Sequence, residues 1–163
     1  MQSIDILRDL IAFPTVSRST NLALTDYVRD LLEPLGARVM LATSDHDRTN
    51  LWVSVGPQDK AGVALSGHSD VVPVEGQVWT VPPFAMREVA GRLFGRGSAD
   101  MKGFLACAIA CLAAATARSL KVPLHLAISY DEEIGCVGVR SLIDLLAGLA
   151  IKPALFLIGE PTS

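Results

Sequence analysis

Apolar residues recur at helical spacing near the start of the chain. Ile4, Leu7, Leu10 and Ile11 fall on one helix face. Leu24, Val28, Leu31, Leu32 and Leu35 repeat the pattern before Gly36, a residue suited to stopping a helix. The texture then changes. Residues 38–42, 51–55 and 62–66 are short β-type runs separated by turn residues. A Pro-containing loop follows over 72–84, and 86–89 and 92–94, joined by Ala90-Gly91, predict a small hairpin. The stretch 103–117 is continuously apolar and rich in Ala, so 101–118 predicts a helix buried on all sides. It is shorter than the ~18 residues of a membrane span. A strand over 122–130, a helix over 137–146 and a strand over 154–158 complete the series.

Strands alternating with helices predict an α/β fold, a three-layer sandwich whose largely parallel mixed sheet is flanked by helices. In such sheets ligands bind beyond the carboxyl ends of the strands. Composition narrows the function classes. The 163 residues make one ordinary domain, and half are hydrophobic, enough for a buried core. A net charge of -3 with 14 Lys and Arg in all gives no footprint for nucleic acid. Residues 1–13 interleave Asp5, Arg8 and Asp9 with apolar positions, which predicts an amphipathic helix and not a secretory signal. Cys107, Cys111 and Cys136 are an odd set, with the first two four apart on one helix face. They are expected to be buried thiols in a reduced compartment. The expectation is a soluble, cytoplasmic protein with no membrane contact.

The chemistry lies at the strand ends. The run 62–66 leads into Gly67-His68-Ser69-Asp70, the run 122–130 into Asp131-Glu132-Glu133, and the run 154–158 into Gly159-Glu160-Pro161. Asp100 stands at the predicted start of the buried helix, where a helix cap is its ordinary role. Four segments thus bring His68 and the carboxylates of Asp100, Glu132, Glu133 and Glu160 to one sheet edge. Two unit charges ~6 Å apart repel by about 3 kcal/mol at an effective dielectric of ~20, so clustered acids in a crevice call for cations. Asp70, two residues after His68, can bend back to orient its ring. Imidazole and carboxylates without cysteine suit a catalytic zinc or a similar first-row ion. Such a site needs a free carboxylate to move a proton from water; Glu132 or Glu133 could do so. The other histidines, His46 in a polar turn and His125 in mid-strand, are read as an exposed and a packed residue.

These motifs resemble a known superfamily. The stretches 66–74, 91–103, 129–136 and 159–162 are similar to the metal-binding motifs of the zinc-dependent aminoacylase and carboxypeptidase superfamily. The wording of 129–143 and 158–163 looks most like its members that remove an acetyl group from an N-acetylated amino acid. The resemblance implies two Zn2+ ions, for which Co2+ can substitute, and a small N-acyl amino acid as substrate. It implies that His68 and Glu160 hold one zinc, Asp100 bridges both, Glu133 binds the second, Glu132 is the general base and Asp70 orients His68. It also implies a cis peptide between Asp100 and Met101.

Members of the superfamily continue past the Glu-Pro-Thr motif with a lid and dimerisation domain. They then return to the catalytic domain, which supplies a further histidine to the second zinc. Residues 1–163 therefore correspond to the N-terminal portion of the catalytic domain. The full-length form is expected to be a homodimer, and this chain alone to self-associate through exposed apolar surface and a sheet edge. Two alternatives stand beside zinc-dependent deacetylation. One is a catalytically silent metal-binding fragment. The other is a related desuccinylase, dipeptidase or glutamate-releasing carboxypeptidase.

Overall fold

The computed structural model describes residues 2–43 and 47–161. His46, expected to be exposed, lies outside them. Helices α1 (Ser3–Ala12) and α2 (Leu22–Leu32) form where helical spacing predicts them, and a short 3₁₀ turn, Glu33–Leu35, extends the second. Gly36 ends it with a left-handed φ of 92°, a conformation that costs a glycine little. The strands are β1 (Arg38–Thr43), β2 (Thr49–Val55), β3 (Val63–His68), β4 (Arg87–Val89), β5 (Arg92–Phe94), β6 (Leu124–Ser129) and β7 (Leu155–Ile158). Helices α3 (Lys102–Thr116) and α4 (Arg140–Ala147) precede and follow β6. Strands β4 and β5 are the expected hairpin.

The main sheet has the order β1-β2-β6-β3-β7. Strand β2 is antiparallel to β1 and β6, while β6, β3 and β7 run parallel. The parallel part matters for function, because it points three carboxyl ends to one edge. Helices α1, α2 and α3 cover one face, where Leu10, Ile11, Leu24, Val28, Leu105 and Ile109 meet Leu51, Val53, Leu126 and Ile128. On the other face Leu142 of α4 joins Trp52, Ala64 and Ala127. His125 is packed as expected. Its ring stacks on Trp52 at 4.7 Å and its Nδ1 bonds Ser54 Oγ at 2.8 Å. Burial holds its pKa below the usual value. Among the described residues no helix is long and apolar enough to cross a membrane.

Two expectations fail together. Helix α3 is not buried on all sides, and the three cysteines are exposed. Leu105, Ile109 and Leu112 face the core, while Cys107, Cys111 and Ala114 form an open stripe at i, i+4 and i+7. Alanine and cysteine are apolar enough to hide that face in the sequence. Ile109→Ala is expected to lower stability by about 2–5 kcal/mol, and Ala114→Ser to change it by less than about 0.5 kcal/mol, in urea denaturation. Cys107, Cys111 and Cys136 should all react with a thiol reagent in the native protein.

Candidate metal centre

The site is assembled by strand register. His68 is the last residue of β3 and pairs with Ser129, the last of β6. Beyond the pairing, the Ser69 amide still donates to Ser129 O at 2.8 Å, and the Gly159 amide to Ser66 O at 3.1 Å. These bonds place His68, the 131–133 segment and Glu160 side by side as their strands end. Asp100 arrives from the turn before α3. It does not cap that helix: Met101 occupies the cap position, with no side-chain cap bond. The peptide between Asp100 and Met101 is cis, as the motif resemblance implies.

His68 is 1% exposed, and its ring is held from behind. Nδ1 lies 2.9 Å from the Asp70 carbonyl oxygen and 3.4 Å from Asp70 Oδ1. Both neighbours accept, so Nδ1 carries the proton and Nε2 faces the carboxylates. Nε2 is 3.2 Å from Asp100 Oδ1, 3.6 Å from Glu132 Oε2 and 3.6 Å from Glu160 Oε2. His68 Nε2 and Asp100 Oδ1 are nonetheless both buried without a hydrogen-bond partner. Two orphaned polar atoms facing each other are costly unless something sits between them, and a cation meets both demands. His68, Glu132 and Glu160 each place one ligand atom within 4.8 Å of the others, and so do His68, Asp100 and Glu133. All the expected ligands are thus brought together. Glu132, expected as the base, lies at ligand distance beside them.

Asp70 does more than orient the ring. Its carboxylate accepts the Glu132 amide at 3.0 Å, the Glu133 amide at 3.3 Å and the Ser17 hydroxyl at 2.7 Å. The Glu132-Glu133 pair is therefore hung from the same side chain that supports His68. Asp131 turns away from the cluster. Its φ of 52° is left-handed, a region aspartate tolerates better than most residues. Its carboxylate accepts the Arg18 amide at 2.6 Å and pairs with Arg48, whose guanidinium lies over the Tyr130 ring. Ser17, Arg48 and the buried role of Asp131 had no signal in the sequence. Ser17 and Arg48 come from distant segments, and Asp131 is indistinguishable by type from its two neighbours. Cys136, exposed at the rim, donates its thiol to Glu132 Oε1 at 3.3 Å.

The electrostatics reflect crowded anions. Burial works against a charged His68, but the hydrogen bond and charge of Asp70, aided by Glu132, overcome it and raise the pKa to about 9. Burial would raise Asp70; bonds from His68, the Glu132 amide and Ser17 hold it below its usual value instead. Glu133 and Glu160 are both raised, first by burial and then by the charge of Asp100. Two hollows open onto the centre. One, of about 330 Å³, is lined by His68, Glu132, Cys136 and Glu160, and another, of about 230 Å³, by Asp100, Glu133 and Arg96. The first sits beyond the carboxyl ends of β3, β6 and β7, as the parallel topology predicts.

The sequence profile of peptidase family M20/M25/M40 matches residues 64–163. The chain is 35% identical to an acetylornithine deacetylase of Shigella sonnei and 36% identical to one of Proteus mirabilis, over 98% of its length. It spans only 43% and 42% of those proteins. Human carnosine dipeptidase 1 superposes with a TM-score of 0.82 at 25% identity, covering 99% of this chain and 38% of that one. An M20 family metallo-carboxypeptidase of Sulfolobus solfataricus superposes at 0.80, with 21% identity, covering 98% and 37%.

A pH dependence follows. In the metal-free protein the raised pKa of His68 contributes stability that is complete below 6.5 and is lost as pH rises through about 9. A divalent metal competes with that proton for Nε2. Its apparent affinity should rise about tenfold per pH unit for one displaced proton and level off above about 9. Competition titration against a chelator measures this, and His68→Ala should abolish tight binding.

Proposed function

Because the chain belongs to peptidase family M20/M25/M40, we propose that it carries the metal-binding side of a zinc-dependent amide hydrolase that converts N-acetylornithine to ornithine and acetate. The observation that carries the metal reading is the pair of buried, unpartnered atoms, His68 Nε2 and Asp100 Oδ1, ringed by Glu132, Glu133 and Glu160. One imidazole with several carboxylates and no cysteine among them suits zinc, with cobalt as a substitute.

In this reading His68, Asp100, Glu133 and Glu160 would hold the metal, His68 and Glu160 on one side and Glu133 on the other, with Asp100 shared between them. Bound metal would supply Lewis acidity toward the amide carbonyl and acidify a water. The protein's own groups do the rest. Glu132 takes the proton from the attacking water and delivers it to the leaving amine, so the C–N bond breaks with a neutral amine departing. Its backbone bond to Asp70 keeps it at a fixed distance from His68. Asp70 holds the imidazole so that Nε2, not Nδ1, faces the reaction. Release of ornithine puts the reaction in arginine biosynthesis, a cytoplasmic process.

A dipeptidase is the second reading, favoured by the superposition on carnosine dipeptidase 1. Sequence identity supports the deacetylase reading over it, 35–36% to the deacetylases against 25% to the dipeptidase over nearly the same residues. Acetate release from N-acetylornithine, compared with hydrolysis of dipeptides, tests the choice. Glu132→Gln should reduce turnover by about 10²–10⁴-fold while leaving the metal content of the protein unchanged. Equal loss of metal and activity would make Glu132 a ligand and not the base.

A further inference from the structure

Lys102 stands out among the charged residues. It is 0% exposed, and no carboxylate lies within ion-pair distance of it among the described residues. A lysine placed there is expensive, because its ammonium leaves water with no contacting counter-ion, only the more distant charge of Asp70. A methionine would fill the same space at less cost. Its Nζ donates instead to two main-chain oxygens, Leu10 O at 2.9 Å and Phe13 O at 2.7 Å. Both belong to the C-terminal end of α1, where the helix dipole favours a cation; each oxygen also accepts a main-chain amide, from Phe13 at 3.3 Å and Thr15 at 2.8 Å.

The other end of Lys102 holds the turn that carries Asp100. Its amide donates to Gly97 O at 2.9 Å. Its Cδ passes 3.2 Å from the place a Cβ on Gly97 would take, where Gly97 adopts a left-handed φ of 81°. The preceding residue, Met101, is also fully buried, and its sulfur accepts the His68 amide at 3.3 Å. Asp100 is therefore followed by two residues fixed in opposite directions, Met101 to the end of β3 and Lys102 to the end of α1.

We propose that Lys102 is a positioning residue, a strut between the end of α1 and the 97–101 turn that sets the distance from Asp100 to His68. This rests on the metal-site reading, since that distance matters most when both side chains grip one ion.

The test uses Lys102→Met, which keeps the apolar stem and removes the donors. Three readouts are taken on the folded protein, as judged by a cooperative melt: Co2+ affinity, the visible absorption spectrum of the Co2+ form, and amide hydrogen exchange of residues 98–103 without metal. The strut predicts at least a tenfold loss of Co2+ affinity, a changed Co2+ spectrum, and faster exchange confined to the turn. Unchanged affinity, spectrum and exchange would overturn it, because a purely packing lysine replaced by methionine leaves all three alone. Should Lys102→Met not fold, Lys102→Gln keeps neutral donors and is expected to show the same three changes in weaker form; wild-type behaviour in that variant overturns the proposal. If the wild-type protein binds no Co2+, the metal reading fails by itself. The exchange rates of the turn then decide the strut, faster in the variant for it and equal against it.

Discussion

One carboxylate ties the centre together. Asp70 sits behind His68 and receives the amides of Glu132 and Glu133 and the hydroxyl of Ser17. It is buried, and its charge is held by donors from two segments distant in sequence, with His68 beside it. Without it, His68 would keep only the main-chain carbonyl of residue 70 at Nδ1, and Glu132 and Glu133 would lose the acceptor for their amides. A buried anion satisfied by this many donors is rigid, because each donor would be left unpaired by any shift. The spacing between imidazole and glutamates is thus fixed by hydrogen bonds before any ion is considered.

A second layer fixes Asp70 and its neighbours. Val71 donates to Thr15 O at 3.0 Å, Ser17 donates to Val71 O at 3.1 Å, and Thr15 Oγ1 donates to Ser69 O at 2.6 Å. Asn21 bonds both Thr49 O and Ser69 Oγ. The segment between α1 and α2 therefore acts as a clasp on the loop after β3. The Arg48 and Asp131 pair does the same for the loop after β6, drawing Asp131 out of the cluster. One acid in the triplet serves structure so that the next two can face the crevice.

Much of this was legible in the sequence, for identifiable reasons. Strand ends were readable because apolar runs stop abruptly at His68, Asp131 and Glu160, and parallel strands share an edge. Four of the five cluster residues came from that rule, and Asp100 from the predicted start of the helix after the glycine-rich turn. The roles of Glu132 and Glu133 were not separable by spacing, and the coordinates still place both near His68. What spacing could not show was partnership across distance. Ser17 on Asp70 and Arg48 on Asp131 span 53 and 83 positions. Residue types misled at α3, where an unbroken apolar run concealed a face of small side chains open to solvent.

The excursion between β3 and α3 begins and ends at nearly the same place. A Cβ on Gly97 would come within 2.7 Å of Val71 Cγ1, so the two ends of 72–96 touch. Between them the chain runs out through the β4–β5 hairpin and returns, with Met86 and Leu93 packed against the core. The entropy of closing such a loop grows only slowly with its length. Residues inserted at its exposed positions, such as beside Val78, therefore need not move Asp70 on one side or Asp100 on the other. The fold separates a part of the chain that must keep its register from a part whose length is free to drift, and the second borders the hollow beside Asp100 and Glu133.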